Sequence, residues 1–311
     1  MKNFKLSFTE KEQECELRFQ KAGTLWHACT PGNLQEILFI DEKDFMKAIT
    51  FLGVCAAELH VIIYAYAIMS NHIHLILSGT REDARETVLS FRRKIMRYLS
   101  GKGRNVLMTD FDCNNPLPIE TLRSLRNEII YTNRNNYVSD ARNTPFSCPW
   151  TSGYYYFNDA AMRITTRSYS KFSYREQREI LGGRSISLPD TYTVGDGYLY
   201  PPSFVHIEEG QSFFRDAHQY FTLLGKNYEA YSEIARKLGD TTVIPDEEFY
   251  SLTRMLSSSR FSTKDPRILP QKEKFELAKI LHSDYAATNG QLQRILRLDR
   301  NVIDSLFPLP H

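Results

Sequence analysis

Apolar and polar positions alternate as a strand from Thr24 to Cys29 and then give way to turn chemistry at Pro31-Gly32-Asn33. Asp41 stands as an N-cap before a helical pattern that reaches Leu59, with Phe45, Ile49, Leu52 and Ala56 at helical spacing. Val61 to Met69 reads as a strand, Ser70-Asn71 as a tight connection, and His72 to Leu77 as a second strand. Thr80-Arg81-Glu82-Asp83 has the form of a capping box and opens a helix that Gly101 ends. Asn114-Asn115-Pro116 interrupts the chain, and Leu122, Leu125, Ile129 and Ile130 predict a further helix from Pro118 to Asn135. Long helices interleaved with short, hairpin-linked strands predict an α+β domain over residues 1–160, a mostly antiparallel sheet with packed helices.

After Tyr154-Tyr155-Tyr156-Phe157 the pattern changes. Those four aromatics read as a buried edge strand, with stacking on unpaired bases as the alternative. Gly182-Gly183, Pro189, Gly195, Gly197 and Pro201-Pro202 then mark a loop-rich connection. Helical patterns follow at Phe213 to Leu224, Glu229 to Leu238 and Lys272 to His282, and in two short segments, Asn289 to Leu296 and Asn301 to Phe307. The expected divisions are residues 1–160, a loop-rich and helical region at 161–265 without a readable motif, and a helical end at 266–311. The last two helices, joined at Arg297-Leu298-Asp299-Arg300, have the dimensions of a helix-turn-helix, and Gln291, Gln293, Arg294, Arg300 and Asn301 are residue types that contact bases and phosphates. Structural packing of a short helix pair is the other reading.

A length of 311 residues suits two or three such domains, and a chain 42% apolar and 24% charged is neither disordered nor fibrous. No run of 18 apolar residues predicts a membrane span, and Met1-Lys2-Asn3-Phe4-Lys5 leads into a charged segment rather than a signal sequence. Five scattered cysteines without a CxxC spacing predict reduced thiols in a cytoplasmic protein. The net charge of +2 indicates no partner, but Arg92, Arg93, Lys94, Arg97, Lys102 and Arg104 form a block without an acidic residue. Such a block either meets phosphates or is a solvated helix face.

The chemistry concentrates in two places. Strand alternation puts His72 and His74 on one face, where two imidazoles can chelate a divalent metal; an isolated pair of this kind is more often merely polar surface. On the helix ending Ile129-Ile130-Tyr131-Thr132-Asn133-Arg134-Asn135, Tyr131 and Asn135 are four apart and share a face. Asn135 offers a neutral oxygen ligand. A tyrosine phenolate can attack a phosphodiester and conserve the bond energy as a phosphotyrosine. Free phenol ionises near pH 10, so a metal that neutralises the phosphate assists it. Phosphate and amide oxygens are hard ligands, which points to Mg²⁺ or Mn²⁺.

The segment YAIMSNHIHLIL resembles the YxxMPNHxHLLL signature of single-tyrosine transposases of the HUH endonuclease superfamily, and IIYTNRNNYV resembles the YIHxNPV segment that carries their nucleophile. The likeness is closest to the REP-associated tyrosine transposases. It runs from Trp26-His27 through Asp41-Phe45 and both motifs to PFSCPWTSGYYYF, about half the chain. The resemblance implies a ferredoxin-like HUH domain in which His72 and His74 bind the metal, Asn135 completes its site, and Tyr131 forms a 5′-phosphotyrosine with single-stranded or hairpin DNA. Ser70 and Asn136 stand where the family has proline, positions that shape backbone rather than chemistry. His27 also matches the family, and a core role is as well founded as a catalytic one. Arg92, Arg93, Lys94, Arg97 and Arg134 are the candidate DNA contacts. The C-terminal helices are a candidate duplex contact, and a homodimer is open because some relatives complete the site across one. Two other functions remain in view: a domesticated, non-catalytic DNA-binding regulator, and a metallohydrolase in which the histidines activate water.

Overall fold

The computed structural model describes residues 7–31, 37–104, 106, 111–139, 146–183, 185–226, 234, 246–263, 265–285, 287 and 289–308, without the side chains of 136–139, 226, 246–248, 251 and 290. The chain divides into two compact units, one of residues 1–137 and 142–227, the other of 138–141 and 228–311.

The first unit opens with helix α1 (Phe8–Lys21), set by a Ser7–Glu10 capping box. Only Cys15 of α1 is buried, so no apolar stripe announces this helix in the sequence. Strand β1 (Leu25–Cys29), helix α2 (Glu42–Leu59), strands β2 (Ile62–Ile68) and β3 (Ile73–Ser78), helix α3 (Arg81–Gly101) and strand β4 (Leu117–Ile119) follow in a β-α-β-β-α-β path. The predicted caps hold: the Asp41 side chain accepts from the Asp44 N–H, and Thr80 pairs with Asp83. The four strands form a sheet in the order β2-β3-β1-β4 with every neighbour antiparallel.

Helix α4 (Leu122–Ser139) begins four residues later than predicted, because Pro118 lies in β4 opposite Trp26. A residue without an N–H is tolerated there, at the edge of the sheet.

The α2–α3 contact is fixed electrostatically. The buried Asp44 carboxylate accepts from Lys102 Nζ (2.7 Å), Arg104 (2.7 Å), the Tyr98 hydroxyl (3.0 Å) and the Ile40 N–H (3.1 Å). Burial pushes its acidity down, but these donors outweigh burial and hold the carboxyl below its ordinary pKa.

Residues 161–226 pack into this first unit, so the expected boundary at 160 moves to about 227. Helix α5 (Asp159–Met162) leads into this region, which contains α6 (Tyr174–Leu181), α7 (Ile207–Ser212) and α8 (Ala217–Lys226), and a small sheet of β5 (Arg167–Ser168), β6 (Thr193–Gly195) and β7 (Tyr198–Leu199). What reads as loop in the sequence is partly a hairpin. Asp196 and Gly197 both take positive φ, 53° and 85°, which gives the turn the twist its strands need. This region is tied to the first by backbone bonds such as His206 N–H to Ile63 O at 2.8 Å.

In the second unit, α9 (Asp246–Phe261), α10 (Gln271–Tyr285), α11 (Asn289–Leu296) and α12 (Arg300–Leu306) surround one core of Phe249, Leu252, Leu277, Leu281, Leu292 and Ile303. Because α9 shares that core, a boundary at 266 does not hold either. The helix expected at Glu229 to Leu238 lies outside the described residues apart from Ile234. No described helix is long and apolar enough to cross a membrane, and all five cysteines are free thiols.

Candidate functional site

Strand β3 is central, paired on both sides, so its residues are held in register against β1 and β2. Cys29 lies opposite His74 and His27 opposite Ile76, which places His27 and His74 on one face. His72 sits one residue before β3, where the Met69 N–H bonds the His72 carbonyl at 2.9 Å and closes the hairpin. The Ser70 carbonyl accepts from both the Leu38 and Phe39 N–H groups. The turn is thus shaped by hydrogen bonds rather than by a pyrrolidine ring. The His72 and His74 rings lie 5.1 Å apart and nearly perpendicular, at 83°. His74 is fully buried and His72 is 8% exposed.

Helix α4 brings the second sequence motif to the same place. The Tyr131 ring stands 5.4 Å from His74 and 6.0 Å from His27. Three segments far apart in sequence therefore converge on one cluster. Tyr131 itself is 3% exposed. Asn135, one turn on, has a buried amide nitrogen without a hydrogen-bond partner among the described residues.

Helix α4 is locked in position from both ends. Arg126 bonds Glu12 of α1 at 2.7 and 3.1 Å and the Phe213 carbonyl at 2.6 Å. Near its other end, Asn133 meets Ser152 and the Tyr220 hydroxyl, the latter at 3.1 Å. Gly153 packs so close that an added Cβ would stand 2.8 Å from the Asn133 carbonyl oxygen. That contact explains the glycine in Trp150-Thr151-Ser152-Gly153. The aromatics that follow are neither an edge strand nor a stacking platform. Ser152 to Tyr154 form a 3₁₀ turn, Tyr155 and Tyr156 are core, and the Tyr156 hydroxyl donates to the Tyr64 carbonyl at 2.8 Å.

Two members of the cluster carry weight that the sequence did not reveal. His27 Nδ1 lies 2.6 Å from a Glu128 carboxylate oxygen, and His27 Nε2 lies 3.1 Å from His74 Nδ1. Glu128 precedes Tyr131 by three residues, hence on the same helix face, and that spacing was the available signal.

The basic residues separate from this cluster. Arg93 pairs with Glu86 on its own helix, and Lys94 pairs with Glu58 of α2 at 2.8 Å. Lys94 and Arg97 line a cavity of about 620 Å³ together with Phe51, Tyr98 and Arg178. Arg134 is 5% exposed, so its guanidinium is interior and not presented to a surface ligand. Gln291, expected among DNA-reading types, is likewise buried, while Gln293, Arg294, Arg300 and Asn301 are exposed.

Among the described residues no three His, Cys, Asp or Glu side chains form a metal cluster. The donor set nonetheless fits a divalent ion. His72 Nδ1 is engaged by the Asn71 amide oxygen at 2.8 Å and His74 Nδ1 by His27, so coordination of an ion would fall to Nε2 of each ring. The Asn135 amide can turn its oxygen where its nitrogen finds no acceptor. Two imidazoles and an amide oxygen suit Mn²⁺, and Mg²⁺ less well. No protein-family model matches this chain, nor does any curated protein or solved structure.

Proposed function

We propose that this chain is a metal-dependent transposase of the HUH single-tyrosine type that cuts and rejoins single-stranded DNA. The observation that carries this reading is the approach of Tyr131, from a different element, to His74, whose ring in turn lies beside that of His72. The β-α-β-β-α-β path with its 2-3-1-4 antiparallel order has the form of a ferredoxin-like domain and supports the same reading. The Tyr131 oxygen attacks the scissile phosphorus, the P–O3′ bond breaks, and the departing oxygen takes a proton to leave a 3′-hydroxyl. The product is a 5′-phosphotyrosine. A second 3′-hydroxyl attacks that phosphorus, the phosphotyrosine bond breaks, and Tyr131 recovers its proton. A bound Mg²⁺ or Mn²⁺ would neutralise phosphate charge at His72, His74 and Asn135. Arg92, Arg93, Lys94 and Arg97 are proposed to hold the strand's backbone, and α11 and α12, in the manner of a helix-turn-helix, to contact duplex DNA. Free thiols accord with a cytoplasmic setting.

The near-complete burial of Tyr131, His74 and Arg134 favours a second reading, a DNA-binding regulator that keeps the cluster as core. Under the first reading α4 must draw away from β3 to admit a phosphodiester. Covalent trapping separates the two. Incubation with Mn²⁺ and labelled single-stranded hairpin DNA, followed by denaturation, is expected to yield a labelled protein band that Tyr131→Phe lacks. Cleavage without an adduct identifies a hydrolase, and binding without cleavage identifies the regulator.

A further inference from the structure

We infer that Glu128 and His27 are positioning residues that set the tautomer of His74, placing the lone pair on its Nε2. This inference rests on the metal-dependent reading above and deepens it. A carboxylate only accepts, so the 2.6 Å contact makes His27 Nδ1 a donor to Glu128. A neutral imidazole has one donor and one acceptor nitrogen, so His27 Nε2 accepts. Its neighbour at 3.1 Å, His74 Nδ1, must then carry the proton and donate it. The lone pair of His74 is thereby assigned to Nε2, the nitrogen that would bind an ion. His72 reaches the same state by a local route, its Nδ1 donating to the adjacent Asn71 amide oxygen.

The chain of three groups is not a packing convenience. His27 is fully buried and Glu128 is 6% exposed, and polar groups so placed are costly unless hydrogen-bonded. A solvated neutral histidine side chain prefers the proton on Nε2, which blocks coordination through that nitrogen. The carboxylate on α4 reverses that preference through His27 on β1. The same helix carries Tyr131, so one element orients His74 and delivers the nucleophile. The opposite polarity has a distinct signature: a cationic His27 donating from Nε2 leaves the His74 proton on Nε2.

The test is a two-bond ¹H–¹⁵N spectrum of the full chain with labelled histidine, without metal or DNA, the His74 signals assigned by their loss in His74→Gln. The expected result is a pyridine-type Nε2 and a protonated Nδ1 for His74. Glu128→Ala is expected to move the proton to Nε2 and weaken Mn²⁺ binding about 10–100-fold, whereas Glu128→Gln, whose amide oxygen still accepts, retains both. A protonated Nε2 in the wild type overturns the inference, as does a Glu128→Ala protein with unchanged tautomer and Mn²⁺ affinity. The wild-type spectrum decides the polarity even where Glu128→Ala fails to fold. Absence of a Tyr131 adduct alongside the expected tautomer sinks the strand-transfer reading alone. An adduct alongside the wrong tautomer sinks only the present inference.

Discussion

In the sheet unit several buried polar side chains bond across long stretches of sequence, whereas in the C-terminal helical unit the buried Thr253 and Ser257 bond nearby backbone. His27 reaches Glu128 across 101 residues and His74 across 47, and Asn133 reaches Tyr220 across 87. In the second unit Thr253 donates to the Phe249 carbonyl four residues back, and Ser257 to that of Thr263. The hydrophobic cluster they border is aliphatic and aromatic. Local bonds of that kind only satisfy a hydroxyl, while long-range ones demand that separate elements arrive in one geometry. The difference marks where this chain spends stability on arrangement, and it is there that a reactive site is proposed.

The largest expected effect tests that contrast directly. Tyr131→Phe should remove adduct formation altogether, while chemical denaturation shows a stability change of no more than about 1.5 kcal/mol, the worth of one hydrogen bond. A large loss of stability with no adduct in either protein would make the cluster structural. In the second unit the order reverses. Leu292→Ala opens an aliphatic core and should cost about 2–5 kcal/mol in the unfolding of that unit. An effect well under 1 kcal/mol would show that this core is loosely packed, on the usual cost of buried large-to-small changes.

Asp44 supplies a pH test within the sheet unit. Its folded-state pKa is depressed, so it contributes stability above its unfolded value, about 3.9, that is lost as pH falls through the lower folded value. Asp44→Asn should lower the thermal midpoint at pH 7 by the equivalent of about 1–3 kcal/mol and flatten its decline in acid. An unchanged acid profile in the variant would remove Asp44 as the source. The smallest effect belongs to the surface: Arg97→Ala should weaken single-stranded DNA binding modestly and reduce its salt slope by about 0.7. A slope equal to wild type would take α3 out of the DNA path.

Much of the sheet unit was legible because its signals are local. The caps at Asp41 and Thr80 and the apolar run across Val61 to Leu77 predicted α2, α3 and the β2–β3 hairpin close to their observed bounds. Helix α1 escapes a reading by periodicity because one buried residue makes no stripe, and β6–β7 because Gly195 and Gly197 read as loop punctuation, whereas Asp196 and Gly197 form a hairpin turn. In the candidate site, His72, His74 and Tyr131 were legible as motif positions. Glu128 was not, since a carboxylate on a helix is ordinarily solvated and nothing in its neighbours announces burial. Arg134 erred the other way: a charge that reads as surface is interior, on the helix face it shares with Tyr131 and Asn127.

The sequence by itself determined the elements and which residue types could react, because caps, turns and periodicity act over a few residues. It also set His72 and His74 two residues apart, but His72 lies just before β3, so the closeness of the two rings owes as much to the hairpin turn as to strand alternation. Only the tertiary structure decided that α4 lies against β1 and β3, that residues 161–226 belong to the sheet unit, and that Glu128 stands behind His27. Those outcomes depend on long-range contacts such as Arg126 to Glu12 and Gly153 to Asn133, whose energies no local pattern encodes.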